Sequence, residues 1–316
     1  MSGQAMGANY SIIAIDRSAS IREKEVADAV NETLRQVNAS LSNWDPESEI
    51  SRFNAQQSVR PVSLSLELIT VMQAAFNVHD QSDGQFDVTL GPLIELWGFG
   101  TAPRTLQPPS DEAIKNVLRE TGQRQVLAFD QSAGTLTKLR PKTKVHIASL
   151  AKGYGIDEIG RALEQLGLTD YLVEVGGDLV ASGSNQDGKP WRIGIEQPDA
   201  AQRKVEQVIA VSGLGMATSG DYRNYFDANG LRYSHIMDAR TGRPVTHATA
   251  SVTVLAPTAM LADAWATALL ALGSARGQVI SEKFNIAALF IDRSSPVGGS
   301  FVTSSTKQFK NLTNKD

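Results

Sequence analysis

Apolar residues recur along this chain with two distinct periods. From Glu23 to Leu41, Val26, Val30, Leu34, Val37 and Leu41 fall four, four, three and four residues apart, the spacing of one helical face. Trp44-Asp45-Pro46 ends that run in a loop. Leu68, Val71, Met72, Ala75 and Phe76 predict a second helix from about Ser65 to His79, with His79 on the inward side in a solvated or capping role. Ser110 is placed to cap a short helix whose inward residues are Ile114, Val117 and Leu118. A third helix is expected from about Leu150 to Leu166, stopping at Gly167. Met260 to Gly273 (MLADAWATALLALG) reads as a buried helix, and Ser274 to Phe284 as another.

Alternating or compact apolar runs predict strands at Tyr10 to Asp16, on both sides of Gly134, and at Tyr171 to Ala181, the last broken by Gly176-Gly177. Further strands are expected at Trp191 to Glu196, Val205 to Ser212, Tyr233 to Met237, Ala250 to Leu255 and Ile286 to Asp292. DGQFDVTLGPLIELWGFG reads as irregular, Thr101 to Pro109 as polar and Pro-rich, and the tail from Thr303 to Asp316 as polar and frayed. There is no regular βαβ rhythm, no repeat of fixed period and no low-complexity linker. The pattern predicts an α+β fold forming a single domain over residues 5–310, with residues 311–316 as its frayed end.

Composition narrows the function. The chain has 316 residues, 41% hydrophobic and 20% charged, with a net charge of −4, which describes an ordinary globular protein. No basic run interleaved with aromatics is present, so nucleic-acid binding is not expected. No apolar run reaches the length of a membrane span. The absence of cysteine excludes disulfides, thiolate zinc sites and cysteine nucleophiles, and suits an oxidising compartment. MSGQAMGANYSIIAI has neither a basic nor an apolar signal region. Two readings stay open: a cytoplasmic protein, or an exported one whose signal is not part of this chain.

The strongest chemical signal lies in the Met260–Gly273 segment. Asp263 and Thr267 are four residues apart and share a face among Ala, Leu, Met and Trp. A buried Asp is normally paired or bound to a metal. Two hard oxygen ligands suit Mg²⁺ better than zinc or copper. The competing reading is an Asp capping a loop and a Thr bonding back to its own helix. SLAKGYG begins a helix with Lys152 in its first turn, which suits a phosphate or else leaves a solvated lysine. In EVGGD, the double glycine marks either close approach by a ligand or a bulge. ATSGDYRN offers small residues and Arg223 for a phosphate contact or a loop. His235, between an aromatic strand and a turn, is a candidate general base or a structural histidine. No P-loop, GxGxxG after a strand, HExxH or GxSxG occurs. Together these clusters suit phosphoryl or nucleotidyl chemistry on a pyrophosphate.

Seven segments in order carry a family resemblance: MGANYS, FDVTLGPLIELWGFG, SLAKGYGID, YLVEVGGDL, ATSGDYRNYF, YSHIMDARTGRPV and SVTVLAPTAMLADAWATALLALG. In sequence and spacing the chain resembles the ApbE family, the FAD:protein FMN transferases, from about Met6 to Phe309. The resemblance implies a mixed helix/sheet fold with its site in a cleft between two lobes. It implies a Mg²⁺-dependent enzyme that takes FAD as substrate, moves FMN onto a Thr or Ser hydroxyl of a flavoprotein and releases AMP. The implied acceptors are subunits of membrane redox complexes such as sodium-pumping quinone reductases, modified within a short [ST]GA[ST]-type sequence. The implied location is the periplasm, with the full-length form a lipoprotein at the inner membrane.

Carried over by position, Met6, Trp44, Gln85, Phe86, Asp87, Lys152 and Met237 match FAD contacts. Ser149, Asp263 and Thr267 match metal ligands, and His235 matches a histidine with a proposed base role. Asp263 thus counts as both ligand and catalytic residue. Two departures stand out. His146 takes the place of an FAD-contacting Asp, and Ala266 that of an additional metal-ligating Asp. With Asp263 as the one acidic ligand, phosphate oxygens would complete the Mg²⁺ shell. An FAD pyrophosphatase giving FMN and AMP, and a non-enzymatic FAD-binding protein, are the competing functions.

Overall fold

The computed structural model describes residues 1–100, 106–199, 204–295 and 300–313. An eight-stranded sheet forms its centre, every neighbouring pair antiparallel. From edge to edge the strands are Ser2–Ala5, Ala8–Ile15, Asp170–Val175, Asp178–Ser182, Leu214–Gly220, Thr249–Ala256, Ala287–Arg293 and Phe301–Ser305. Thr249–Ala256 is buried at all eight positions, as a strand covered on both faces must be. Alternation decides what each residue meets. Val252 and Val254 pack with the helices Leu66–Gln81 and Ala259–Lys283. Leu255 and Met216 point the other way, onto the hairpin Trp191–Glu196/Val205–Val211 and Phe309 of the Lys307–Thr313 helix. The expected α+β class is the one seen.

Two helices on the first face decide where the chemistry lies. Ala148–Gln165 packs against Ala259–Lys283 so closely that a Cβ on Gly153 would sit 2.4 Å from the Ala259 carbonyl oxygen. Asp157, on the first helix, accepts the N–H of Ala259 at 2.7 Å and of Met260 at 2.9 Å. It thereby satisfies two of the otherwise orphaned donors at the start of the second helix, and Thr258 supplies a further cap to Leu261 N–H. The second helix bends at Gly273 (φ 74°, ψ 164°), where a side chain would also meet the His247 ring. The expected break between two helical segments therefore falls at that glycine.

Several expectations need correction. The expected break at Gly176-Gly177 is present, but it is a chain reversal and not a bulge. With φ of 59° and 97°, the two glycines form the tight turn between Asp170–Val175 and Asp178–Ser182. The Leu214–Gly220 strand was not expected, because LGMATSG lacks a β-branched apolar pattern. Its Gly215 is demanded by packing, since a Cβ there would lie 2.2 Å from Ala259 N. Ser2–Ala5, Glu49–Ala55, Gln123–Val126 and Tyr225–Ala228 are also additional elements. The stretch expected to be irregular contains the helix Gly91–Leu96, started by Pro92. The tail is not frayed from Thr303: Phe301–Ser305 pairs at the sheet edge, and buried Phe309 anchors a final helix. Residues 314–316, like 101–105 of the Pro-rich stretch, lie outside the described residues. His79 is buried rather than solvated; its Nδ1–H donates to the Phe86 carbonyl at 2.7 Å.

Burial pushes the Asp157 carboxyl up from 3.8 to about 6, against the pull of the two N–H bonds. Between those values the folded state holds the proton more tightly than the unfolded chain. The group therefore stabilises the fold fully below about pH 4, and that contribution disappears as pH rises through about 6. We expect wild-type stability, relative to Asp157→Asn, to fall by about 2 kcal/mol between pH 4 and 7 in urea titrations. Parallel pH profiles for the two proteins would contradict this.

Candidate active site

A cavity of about 930 Å³ opens beside the two packed helices. It collects Gln85, Phe86, Asp87, His146, Ser149, Lys152, His235, Met237, Asp263 and Thr267 along its walls. Met6 and Trp44 line a smaller adjoining cavity that shares Ala148 and Lys152 with it. The twelve positions marked in the sequence thus converge from distant parts of the chain.

Each wall is held from behind. Asn43 brackets residues 145–147 by donating to Val145 O (2.8 Å) and accepting from Ile147 N–H (2.9 Å). Asn54 takes both main-chain groups of Val145 at 2.7 Å. His146 N–H donates to Val88 O, so His146 and the start of the Ala148–Gln165 helix are fixed together. Burial lowers the His146 pKa, favouring a neutral ring. Trp44 stands edge-on to it at 6.2 Å and is 62% exposed, which leaves an indole face open for stacking. Met6 occupies a tight turn at φ 54°, a left-handed backbone few non-glycine residues adopt, and its thioether lies over Gly155.

On the opposite side, His79 secures Phe86. The Asp87 carboxylate is turned into its own loop, accepting from Thr89 N–H and Oγ1–H and from Gln123 N–H. Gln85 is 2% exposed, and neither its Oε1 nor its Nε2 has a hydrogen-bond partner. A buried orphan amide in a cavity wall is a costly arrangement unless a ligand pairs with it.

The electrostatic centre joins the two helices to the sheet. Lys152 Nζ lies 2.5 Å from Asp178 Oδ2, and Asp178 Oδ1 accepts Thr218 N–H at 3.1 Å. Asp263, 5% exposed, accepts Gly153 N–H at 3.3 Å through Oδ2. Burial alone would lower the Lys152 pKa, but the charges of Asp263, Asp178 and Glu174 more than offset that and hold it above the usual lysine range. Burial pushes Asp263 up to about 7; Lys152 and the Gly153 N–H pull it down, and Asp178 adds to the rise. Thr267 Oγ1 lies 3.3 Å from Ser219 Oγ, so Thr267 has a hydroxyl partner on the sheet and Asp263 a donor on the neighbouring helix. That differs from a loop cap and a back-bonded Thr. Among the described residues no group of three or more His, Cys, Asp or Glu side chains suits a metal. One buried carboxylate beside hydroxyls fits a cation only if the substrate supplies further oxygens.

His235 Nδ1 lies 3.1 Å from Asn224 O, a bond that puts the proton on Nδ1 and the lone pair on Nε2. Phe99 stands edge-on to the ring at 6.3 Å. Asp178 and Ser219 belong to the candidate clusters EVGGD and ATSGDYRN, but the sequence assigns neither a role of its own; Ser219 lies on the strand the pattern does not reveal.

An antiparallel sheet flanked by helices, a dinucleotide-sized cleft and a buried Lys–Asp–Asp cluster define a protein built to hold a charged, extended ligand. The chain belongs to the ApbE family, whose model matches residues 6–290. It is 39% identical to the FAD:protein FMN transferase of Haemophilus influenzae over 99% of this chain and 91% of that protein. To the Vibrio cholerae protein of the same name it is 38% identical over 98% and 92%. Its structure is similar to the flavin transferase ApbE from Vibrio cholerae (TM-score 0.90, 36% identity, 99% and 98% covered). It is also similar to the apo form of the flavinyl transferase ApbE from Pseudomonas stutzeri (TM-score 0.88, 36% identity, 100% and 96% covered).

Removing one partner of a buried ion pair strands the other. We expect a double-mutant cycle on Lys152→Met and Asp178→Leu to give a coupling energy above about 1 kcal/mol by chemical denaturation. Additive effects would contradict the pairing.

Proposed function

We propose that this protein transfers FMN from FAD to a side-chain hydroxyl of an acceptor flavoprotein, releasing AMP. The observation that carries the reading is the meeting of Lys152, Asp263 and Thr267 in a cleft whose walls also hold the orphan amide of Gln85, beside a smaller cavity lined by the open face of Trp44. The names of the relatives supply the reaction. Ser149, Asp263 and Thr267 would hold a Mg²⁺ ion, which would offset charge on the pyrophosphate.

The remaining steps use the chain's own groups. Met6, Trp44, Gln85, Phe86, His146 and Met237 would contact the flavin and adenine ring systems. Asp87 shapes the loop that presents Gln85 and Phe86. Lys152, kept protonated by its carboxylate neighbours, faces the phosphates. The acceptor oxygen attacks the FMN-side phosphorus while the bond from that phosphorus to the bridging oxygen breaks. The hydroxyl proton passes to Nε2 of His235, and AMP leaves with the bridging oxygen. No covalent enzyme intermediate is needed.

The acceptors in this reading are redox-complex subunits of the sodium-pumping quinone reductase type. The place of action is the periplasm, with the full-length form a lipoprotein at the inner membrane. The cysteine-free composition suits that compartment.

Protein, FAD, Mg²⁺ and such an acceptor domain should yield covalently yellow acceptor and AMP in equal amounts. Free FMN with no labelled acceptor would instead establish an FAD pyrophosphatase, and unchanged FAD a binding protein. Asp263→Ala should reduce labelling at least ~100-fold, the scale of losing a main electrostatic stabiliser. His235→Ala should slow labelling while FAD binding, followed by flavin fluorescence, persists. Near-normal labelling by Asp263→Ala, or loss of FAD binding in His235→Ala, would overturn those roles.

A further inference from the structure

The Leu214–Gly220 strand is paired along its length on one side only. Towards Thr249–Ala256 the register runs from Gly215↔Ala256 to Gly220↔Ser251. Towards Asp178–Ser182 it stops at Met216↔Leu179. Main-chain N–H and C=O groups alternate in direction from residue to residue along a strand. Two bonds fix that alternation here. Thr218 N–H points away from Thr249–Ala256, to Asp178 Oδ1. Asp221 N–H points towards it, to Ala250 O. The Thr218 and Thr253 hydroxyls, 2.8 Å apart, have the close side-chain approach of a non-hydrogen-bonded pair, which agrees. The Thr218 carbonyl and both main-chain groups of Gly220 therefore face the place beyond Leu179.

Asp178 cannot extend the ladder into that place. It pairs with Val175 to close the Gly176-Gly177 turn, so its main chain faces the other way and only its carboxylate reaches Thr218. The result is a slot of unpaired strand edge in line with Asp178–Ser182, facing the cavity that Thr218, Ser219 and Gly220 line. Such an edge takes an extended polypeptide by main-chain pairing. Its inner part passes the candidate metal face, where Ser219 Oγ meets Thr267 Oγ1 at 3.3 Å.

We infer that the acceptor polypeptide docks as an added strand on the Thr218–Gly220 edge, which delivers its hydroxyl past the Asp263–Thr267 wall. This inference rests on the transfer reading above. An extended segment is favoured over the dinucleotide because the slot continues the line of a strand, and none of the twelve positions matched to FAD, metal or base roles lies on Leu214–Gly220.

The test uses FAD-loaded enzyme and the acceptor domain with its modified threonine replaced by valine, so that it docks without reacting. Amide hydrogen exchange is read residue by residue. Gly220 should exchange at least ten times more slowly once the acceptor is added, while Ser219 and Asp221, already turned to Thr249–Ala256, change less than twofold. Slowing of Gly220 by FAD alone would assign the edge to the dinucleotide and overturn the inference, as would equal slowing at all three or none.

A second measurement applies to the unaltered acceptor, as a peptide spanning its threonine with single N-methylated amides. Labelling should drop tenfold or more for amides of one parity and little for the other. Labelling without that alternation overturns the strand docking but leaves the transferase reading intact. Absence of any labelling with the whole acceptor domain overturns both.

Discussion

The contact on which this structure depends is the one between Asp157 and the first turn of the Ala259–Lys283 helix. A carboxylate from one helix caps the start of another, and Gly153 lets the two backbones close to van der Waals contact. That crossing is what sets Ser149 and Lys152 on one wall beside Asp263 and Thr267 on the next. Without it, the two helices would carry their polar residues into unrelated surroundings. The same closeness leaves room for Gly153 N–H to bond Asp263, which fixes the carboxylate at the cavity wall.

The charges assembled by that crossing are unequal. One ammonium, Lys152, lies between two deeply buried carboxylates, Asp178 and Asp263, with Glu174 nearby. Burial raises both carboxylate pKa values and the lysine opposes that rise. A pyrophosphate brought to this wall adds further negative charge. The proposed reaction therefore needs a cation in addition to the lysine, and a single carboxylate among hydroxyls is the kind of partial shell that Mg²⁺ completes with phosphate oxygens. Ala266, beside Thr267 on the same helix, offers no oxygen to that shell.

The sequence revealed elements whose burial pattern is simple. Glu23–Leu41 shows its four buried positions, Val30, Leu34, Val37 and Leu41, at helical spacing, and the Ser110 cap is where the Ser-to-apolar spacing puts it. The Asp263–Thr267 pair was legible because a carboxylate in an Ala/Leu run demands an explanation. Leu214–Gly220 was not, because packing against Ala259 selects glycine and small residues where propensity would favour valine. The terminal helix was hidden for a related reason: a single phenylalanine, Phe309, anchors a polar segment. EVGGD stood out for its glycines, and the pairing of its Asp178 with Lys152 became visible only once the hairpin turn placed the two together. The twelve marked positions owe their convergence to the family resemblance more than to periodicity, since nothing in the spacing ties Gln85 to Thr267.

The central claim is that the crossing of the two helices creates one place for a divalent cation and a dinucleotide phosphate together. Anomalous diffraction from crystals grown with Mn²⁺ and FAD tests it most directly. The account predicts one manganese peak within coordination distance of Asp263 and Thr267, with the FAD pyrophosphate in the same shell. A peak elsewhere in the molecule, or FAD bound with its phosphates away from that wall, would contradict it.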